Sequence, residues 1–282
     1  MRERLLYCFT WLSVFLLLPY LITCMINGAE AALLNRKFDA ESCIPLLVAL
    51  QIPDDYEEEA VKAQAVIART NLYYELDHKN ILEIIGEIKG ESWENRNNFV
   101  DKVLNFFSYP HKMYQKAVLD TVDMVLTYDQ EVKLAPYHPC SGGTTRNGEE
   151  AFRSAEYSDL KSVDSGFDKE SADFIYVTYF SEEQLSGEVE IQERDQAGYV
   201  LSLSINGNIL EGETFRQGMN LPSSNFSLQK TGEKYQVICR GEGYGVGFSQ
   251  YGGNELAKAG KGWEDILQIY FPEMSIISCK LM

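Results

Sequence analysis

The chain has 282 residues, room for one large domain or two small ones at about 100 to 200 residues each. Its composition, 45% apolar and 24% charged, can bury a sizeable core and fits neither a disordered chain nor a polytopic membrane protein. With 25 basic against 42 acidic residues the net charge is −17, which repels a polyphosphate and offers no counterion release, so nucleic acid is disfavoured as a partner.

The N-terminus comes first. Leu5 to Met25 is an uncharged run of 21 residues, long enough as a helix, at about 31 Å, to cover a bilayer core. Arg2 and Arg4 precede it and no Lys or Arg follows until Arg36, so the positive-inside bias puts residues 1–4 in the cytoplasm, an anchor at 5–25 and an exported domain at 30–282. Pro19 weakens that helix without forbidding it. The competing reading is a cleaved signal with its site at Ala29-Glu30-Ala31, against which stands an apolar run longer than a signal core. Either way the domain leaves the cytoplasm.

Phe38 to Gln51 alternates loosely and fits a helix or a strand. Pro53 to Leu76 has a helical pattern, with Asp54 or Asp55 as cap, three glutamates in the first turn and an Ala-rich body. Residues 80–116 carry Ile81, Ile84, Ile85, Ile88, Val100, Val103, Leu104 and Phe107 at helical spacing. From Ala117 the texture turns to short β-rich runs: Met124 to Tyr128, Phe174 to Phe180, Val200 to Ile205 and Tyr235 to Cys239, with a turn at Asn206-Gly207. Asn254 to Ile269 is helical again and stops at Phe271-Pro272. No repeat or long linker divides the chain. The expected fold is α+β: the membrane helix, then one mixed domain in which helices mostly precede a largely antiparallel sheet.

Three segments carry chemistry. In Glu59-Ala-Val-Lys-Ala-Gln-Ala-Val-Ile-Ala-Arg69-Thr70, Glu59, Lys62, Val66 and Arg69 share a helix face, one carboxylate beside two cations. That is an acid/base with orienting groups, or a solvated first-turn acid favoured by the helix dipole. In Gly241 to Gly253, glycines at 241, 243, 245 and 247 would line one face of an extended strand and bare the backbone to a ligand or another strand, with Ser249, Gln250 and Tyr251 supplying hydrogen bonds and a ring. The plain alternative is a structural turn with close backbone packing, and neither a Walker nor a Rossmann pattern is present. In Tyr137 to Thr144, His138 and Cys140 are two zinc-type ligands or a buried pair; a zinc site needs more, and His78, His111, Cys43 and Cys239 are scattered.

Together these residues resemble the stage II sporulation protein D family, which includes the amidase-enhancer proteins. Glu59 to Thr70 resembles its signature. Ala117 to Tyr128 with Tyr137 to Thr144 is similar to its central strand pair and Ser-Gly-Gly-x-Thr loop. Phe215-Arg216 to Phe226 and Gly241 to Gly252 resemble its later motifs, and the likeness covers about residues 40–275. The resemblance implies a membrane-anchored lytic transglycosylase that cleaves peptidoglycan glycan strands during engulfment of the forespore. Glu59 would be the single acid/base; Lys62, Arg69, Ser249, Gln250 and Tyr251 would bind substrate. One carboxyl suffices when the muramyl 6-hydroxyl takes the place of water, so no metal is required. Some members carry a structural zinc, for which His138 and Cys140 are the candidate ligands. The partners implied are a cell-wall amidase and a polytopic membrane protein. Acid catalysis near neutrality asks for a desolvated Glu59, so Arg69 is expected to point at backbone or another acid, with apolar or aromatic cover over Glu59. Two positions depart from the family: Tyr244 stands where a histidine is common, and Gln51 where an acid is. Those departures favour the alternative, a noncatalytic peptidoglycan-binding protein that activates an amidase.

Overall fold

The computed structural model describes residues 40–78, 112–185, 187–232 and 234–279. The anchor expected at Leu5 to Met25, the site at Ala29-Glu30-Ala31 and most of the helical pattern at 80–116 lie outside them. Among the described residues no helix is long and apolar enough to cross a membrane. The chain divides into a segment ending at Cys43 and a unit from Ile44 to Met282; of the first, the described part is a 3-10 turn, Ala40–Cys43.

In the second unit the ambiguous stretch before Gln51 is helical: α1, Ile44–Gln51. Helix α2, Glu58–His78, follows. It starts later than the pattern suggested, because residues 54 and 55 form a turn. Its first free amides are met from elsewhere: the Glu57 N–H donates to Asn254 Oδ1 at 2.8 Å. From Ala60 to Thr70 every residue except Lys62 is buried, because α2 runs between two cores. Val61, Ala65 and Ala68 meet Ile44 and Val48 of α1 and Tyr114 and Ala117 of α3, Lys112–Asp120. Ala63, Val66 and Ile67 meet Leu126, Phe248, Ile266 and Tyr270. A helix enclosed on both sides needs small residues for close approach, which is why its body is rich in alanine.

The strands form several small sheets rather than one. Strand β1, Met124–Tyr128, lies between β2, Glu131–Val132, and the C-terminal β11, Ser275–Ser278, all antiparallel. Strand β3, Tyr137–His138, pairs in parallel with β10, Phe248–Ser249. After the short α4, Gly148–Phe152, come β4, Ile175–Ser181, β5, Val189–Arg194, β6, Val200–Ile205, and β7, Asn208–Glu211. Then follow α5, Gly212–Gly218, β8, Phe226–Thr231, and β9, Lys234–Arg240. They make two antiparallel sheets, β4-β9-β8 and β5-β6-β7, around a third core of Val200, Leu203, Phe226, Val237 and Cys239. Asn206 and Gly207 turn the β6–β7 hairpin with positive φ of 49° and 84°, as a type I′ turn requires.

Two expectations need correcting. The helix expected at 254–269 is two helices, α6, Gln250–Lys258, and α7, Trp263–Tyr270, parted by Gly260 at φ 86°; a left-handed glycine closes α6 and lets the chain reverse. They also place helices after the sheets as well as before them. The glycine run is not an extended strand, since Gly241, Gly243, Gly245 and Gly247 have φ of 72°, 94°, 84° and 75°. The bared backbone receives protein: a Cβ at 245 would stand 2.4 Å from the Tyr199 ring and one at 247 would stand 2.2 Å from Pro136 O.

Candidate functional site

Glu59 occupies the first turn of α2, where α6 and α7 pack against that helix. Its side chain is 34% exposed. Oε2 accepts the backbone N–H of Trp263, at 2.9 Å, an amide left free by the helical pattern at the start of α7. Oε1 lies 2.9 Å from Lys62 Nζ. The carboxylate therefore fastens the start of α7 to the start of α2 through polar contacts. The Lys62 ammonium is ringed by three carboxylates, Glu58 at 2.8 Å, Glu59 at 2.9 Å and Asp120 of α3 at 3.1 Å. Burial works against that charge, but the hydrogen bonds Lys62 donates to the three acids outweigh it and push its pKa up. Glu58, bonded to Lys116 and to Lys62, is held below the usual carboxylate range.

Arg69 goes elsewhere. Fully buried, it donates from Nη1 to Thr121 O at 2.7 Å and Met124 O at 3.2 Å, and from Nη2 to Val118 O at 3.1 Å. Val118 O and Thr121 O lie at and just beyond the end of α3, where helix geometry leaves acceptors free and a cation is favoured; Met124 O opens β1. The guanidinium thus points at backbone, as expected, and ties α3 to α2.

Ser249, Gln250 and Tyr251 begin α6. Ser249 is buried and caps the helix, its Oγ accepting from Gly252 N and donating to Asp168 Oδ1 at 2.8 Å. Gln250 is buried as well, donating to Gln51 O at 2.9 Å and Gln64 Oε1 at 3.0 Å, while Gln64 donates to Gln51 Oε1 at 2.8 Å. An amide chain thus joins α1, α2 and α6, with Gln51, the residue in place of an acid, accepting at its end. Tyr251 is half-buried and its N–H donates to Pro139 O at 3.0 Å. The other departure, Tyr244, packs on α4: its ring stacks on Phe152 with centroids 5.2 Å apart, its hydroxyl donates to Ala151 O at 3.0 Å, and Arg146 lies 4.8 Å over its face.

His138 is buried, its Nδ1–H directed to Val246 O at 3.1 Å, and among the described residues Nε2 has no hydrogen-bond partner. Burial drives its pKa down to about 4, the bond to Val246 opposing only in part. Cys140 directs its thiol to the carbonyls of Ser141 and Asp168, and burial, with the charge of Asp168, pushes its pKa up to about 12. Among the described residues no three His, Cys, Asp or Glu side chains gather to hold a metal. Two donors, one of them a thiol held protonated, do not fill a tetrahedral zinc site.

Several residues of this region carried no sequence signal. Asp168, in the 3-10 turn Gly166–Glu170, is fully buried. It binds the Ser141 hydroxyl, accepts the Ser141 N–H at 2.9 Å and takes the Ser249 hydroxyl. Burial raises its pKa and these hydrogen bonds only partly offset that. It locks the Ser-Gly-Gly loop to the start of α6, yet Gly-Phe-Asp-Lys-Glu matches no motif. Trp263 acts through a backbone amide, which no side-chain pattern reveals. Asn254 and Asp120 meet α2 across 197 residues and from a neighbouring helix, so local spacing could not point to them.

With this geometry in view, a family comparison matches residues 30–128 to the SpoIID, stage II sporulation protein, model. Glu59 and Lys62 lie within the matched residues. The chain is 29% identical to stage II sporulation protein D of Bacillus amyloliquefaciens, over 82% of this chain and 72% of that protein. It is also 29% identical to the protein of that name from Bacillus subtilis (strain 168), over 80% of this chain and 70% of the relative. A shorter stretch of 56 residues is 36% identical to the amidase enhancer of Bacillus subtilis (strain 168), covering 20% of this chain and 8% of that protein. The resemblance first seen in four motifs thus extends over most of the chain.

Proposed function

We propose that this protein is an exported, membrane-anchored lytic transglycosylase that cleaves peptidoglycan glycan strands during sporulation, with Glu59 as its acid/base. One observation carries the reading: in the segment matched to the family, Glu59 is fixed by Trp263 N–H and Lys62 yet keeps a third of its side chain open. Polar contacts to Lys62 and Trp263 N–H stand where apolar cover over Glu59 was expected, so in this reading Lys62 releases Oε1 before the one carboxyl serves twice. Protonated Glu59 gives its proton to the glycosidic oxygen as the bond to the muramyl C1 breaks. The resulting carboxylate takes the proton of the muramyl 6-hydroxyl as that oxygen bonds to C1, leaving a 1,6-anhydro end with no water consumed. Trp263 N–H holds Oε2, so Oε1 is the oxygen that turns to substrate, and Lys62 keeps Glu58 and Asp120 when it yields Glu59. Tyr251, half-buried at the start of α6, offers a ring to the sugar; Ser249, Gln250 and Arg69 act by holding α6 and α3 in place. The partners in this reading are glycan strands stripped of stem peptides, the amidase that strips them and a polytopic membrane protein.

A second reading, a noncatalytic wall-binding protein that activates an amidase, is favoured by the short match to the amidase enhancer. Incubating the full-length protein with peptide-free glycan strands and reading the new ends by mass spectrometry separates the two. Anhydromuramyl ends support the transglycosylase. New reducing ends would show that water attacks instead, and binding without any new end would establish the second reading.

A further inference from the structure

Strand β4 reads Ile-Tyr-Val-Thr-Tyr-Phe-Ser, seven residues without a charge, and lies at the edge of its sheet. Gly241 N–H donates to Phe174 O, at 2.8 Å, and the antiparallel pairing continues from Ile175 opposite Arg240. Because paired and unpaired residues alternate along such a ladder, Phe174, Tyr176 and Thr178 face β9 with their backbone groups. Ile175, Val177 and Tyr179 turn theirs to the open edge. The side chains of these same three residues stand 50%, 44% and 55% exposed. An apolar row with unpaired N–H and C=O groups is a template for another strand, and the charges, prolines and bulges that usually guard an edge are missing from β4. Among the described residues no strand lies on that side.

We propose that β4 pairs with β4 of a second copy of this chain, antiparallel about a two-fold axis through Val177. This register sets Val177 against the partner's Val177 and Ile175 against the partner's Tyr179. On the opposite face Tyr176 meets the partner's Thr178 and Phe174 meets the partner's Phe180. These are the β-branched, aromatic and mixed pairs that stabilise sheets, and an isologous contact needs that self-complementarity. Charge fits as well. The paired strands bury no charged side chain, and each Asp173 comes to the end of the partner's sheet where Ser181 pairs with Lys234. Of the two neighbouring registers that keep the hydrogen bonds, the one centred on Thr178 would set Asp173 against the partner's Glu183, and the one centred on Tyr176 would set Asp173 against the partner's Tyr179. Each copy carries −17, so long-range repulsion opposes the pairing and added salt strengthens it. The inference is independent of the chemistry at Glu59.

The test uses the full-length chain in detergent micelles, its protein mass followed by light scattering over a range of concentrations and salt. The expected result is a concentration-dependent dimer that tightens with salt. Val177→Lys should weaken it on the order of tenfold or more without changing thermal unfolding, which separates this contact from association through the apolar N-terminal run. Val177→Cys should cross-link two copies under a mild oxidant, because hydrogen-bonded partners stand about 5.5 Å apart between Cα atoms, within disulfide range. Tyr176→Cys and the unsubstituted chain should not cross-link. A monomer at every concentration, or a dimer indifferent to Val177→Lys, would overturn the proposal. So would hydrogen-exchange protection of the 175, 177 and 179 amides that is independent of concentration, which would give the edge to another segment of the same chain.

Discussion

The two ends of the motif on α2 use charge in opposite ways. At its start, Glu59 and Lys62 sit in a cluster with Glu58 and Asp120 whose members are between 13% and 39% exposed. Ten residues on, Arg69 is sealed from solvent with its guanidinium spent on three backbone carbonyls. Helical spacing at i, i+3 and i+10 put all three charges on one helix face, and burial decided their roles. The lesson is that a charged motif on a helix can be half site and half scaffold, and that exposure with hydrogen-bond partners tells which half is which.

The comparison is broken most sharply at Arg69 and Lys62. Arg69→Met takes a buried charged donor from Val118 O, Thr121 O and Met124 O, of which Thr121 O keeps the Met124 N–H, and should cost about 3 to 5 kcal/mol by denaturant unfolding. Lys62→Met takes the shared cation from Glu58, Glu59 and Asp120, of which Glu58 keeps Lys116, and should cost about 1 kcal/mol, well below Arg69→Met, while lowering the cleavage rate. Equal losses of stability would erase the distinction.

His138 tests the buried side by pH. Its folded pKa, about 4, lies below the ordinary value near 6.5, so the unfolded chain binds its proton first as pH falls. Stability from this group is complete above about pH 6.5 and is lost as pH drops toward about 4, roughly 3 kcal/mol in all. His138→Gln should flatten that part of the profile; an unchanged slope would place the loss on other groups.

Glycines sharpen the picture at smaller magnitude. Gly245→Ala meets both a positive φ and the Tyr199 ring at 2.4 Å, and should cost about 2 to 3 kcal/mol. Gly207→Ala has the same sign of φ with nothing among the described residues within 4 Å, and should cost about 1 to 2 kcal/mol. Thermal melts of the pair isolate the packing part.

Much of this was legible in the sequence where the information is local. Met124–Tyr128 and Val200–Ile205 are strands at the bounds their β-rich runs gave, and the Ala-rich period marked α2. The glycine run misled because alternation has a period of two whether a strand is extended or not. What fixes those residues is Tyr199, Pro136 and Ser141 across the fold, and spacing carries no record of them. Asp168 escaped notice for the same reason: its partners, Ser141 and Ser249, are 27 and 81 residues away. The site itself was half visible. A carboxylate beside a lysine could be read from i and i+3, whereas the Trp263 amide that holds it could not.

The central claim is that Glu59 is poised for chemistry while the rest of its helix face is structural. The most direct measurement is the rate at which Glu59→Gln forms anhydromuramyl ends from peptide-free glycan strands, with thermal unfolding recorded on the same sample. The account predicts a drop of about a thousandfold with the fold retained. A rate within about tenfold of the unsubstituted protein, at native stability, would contradict it.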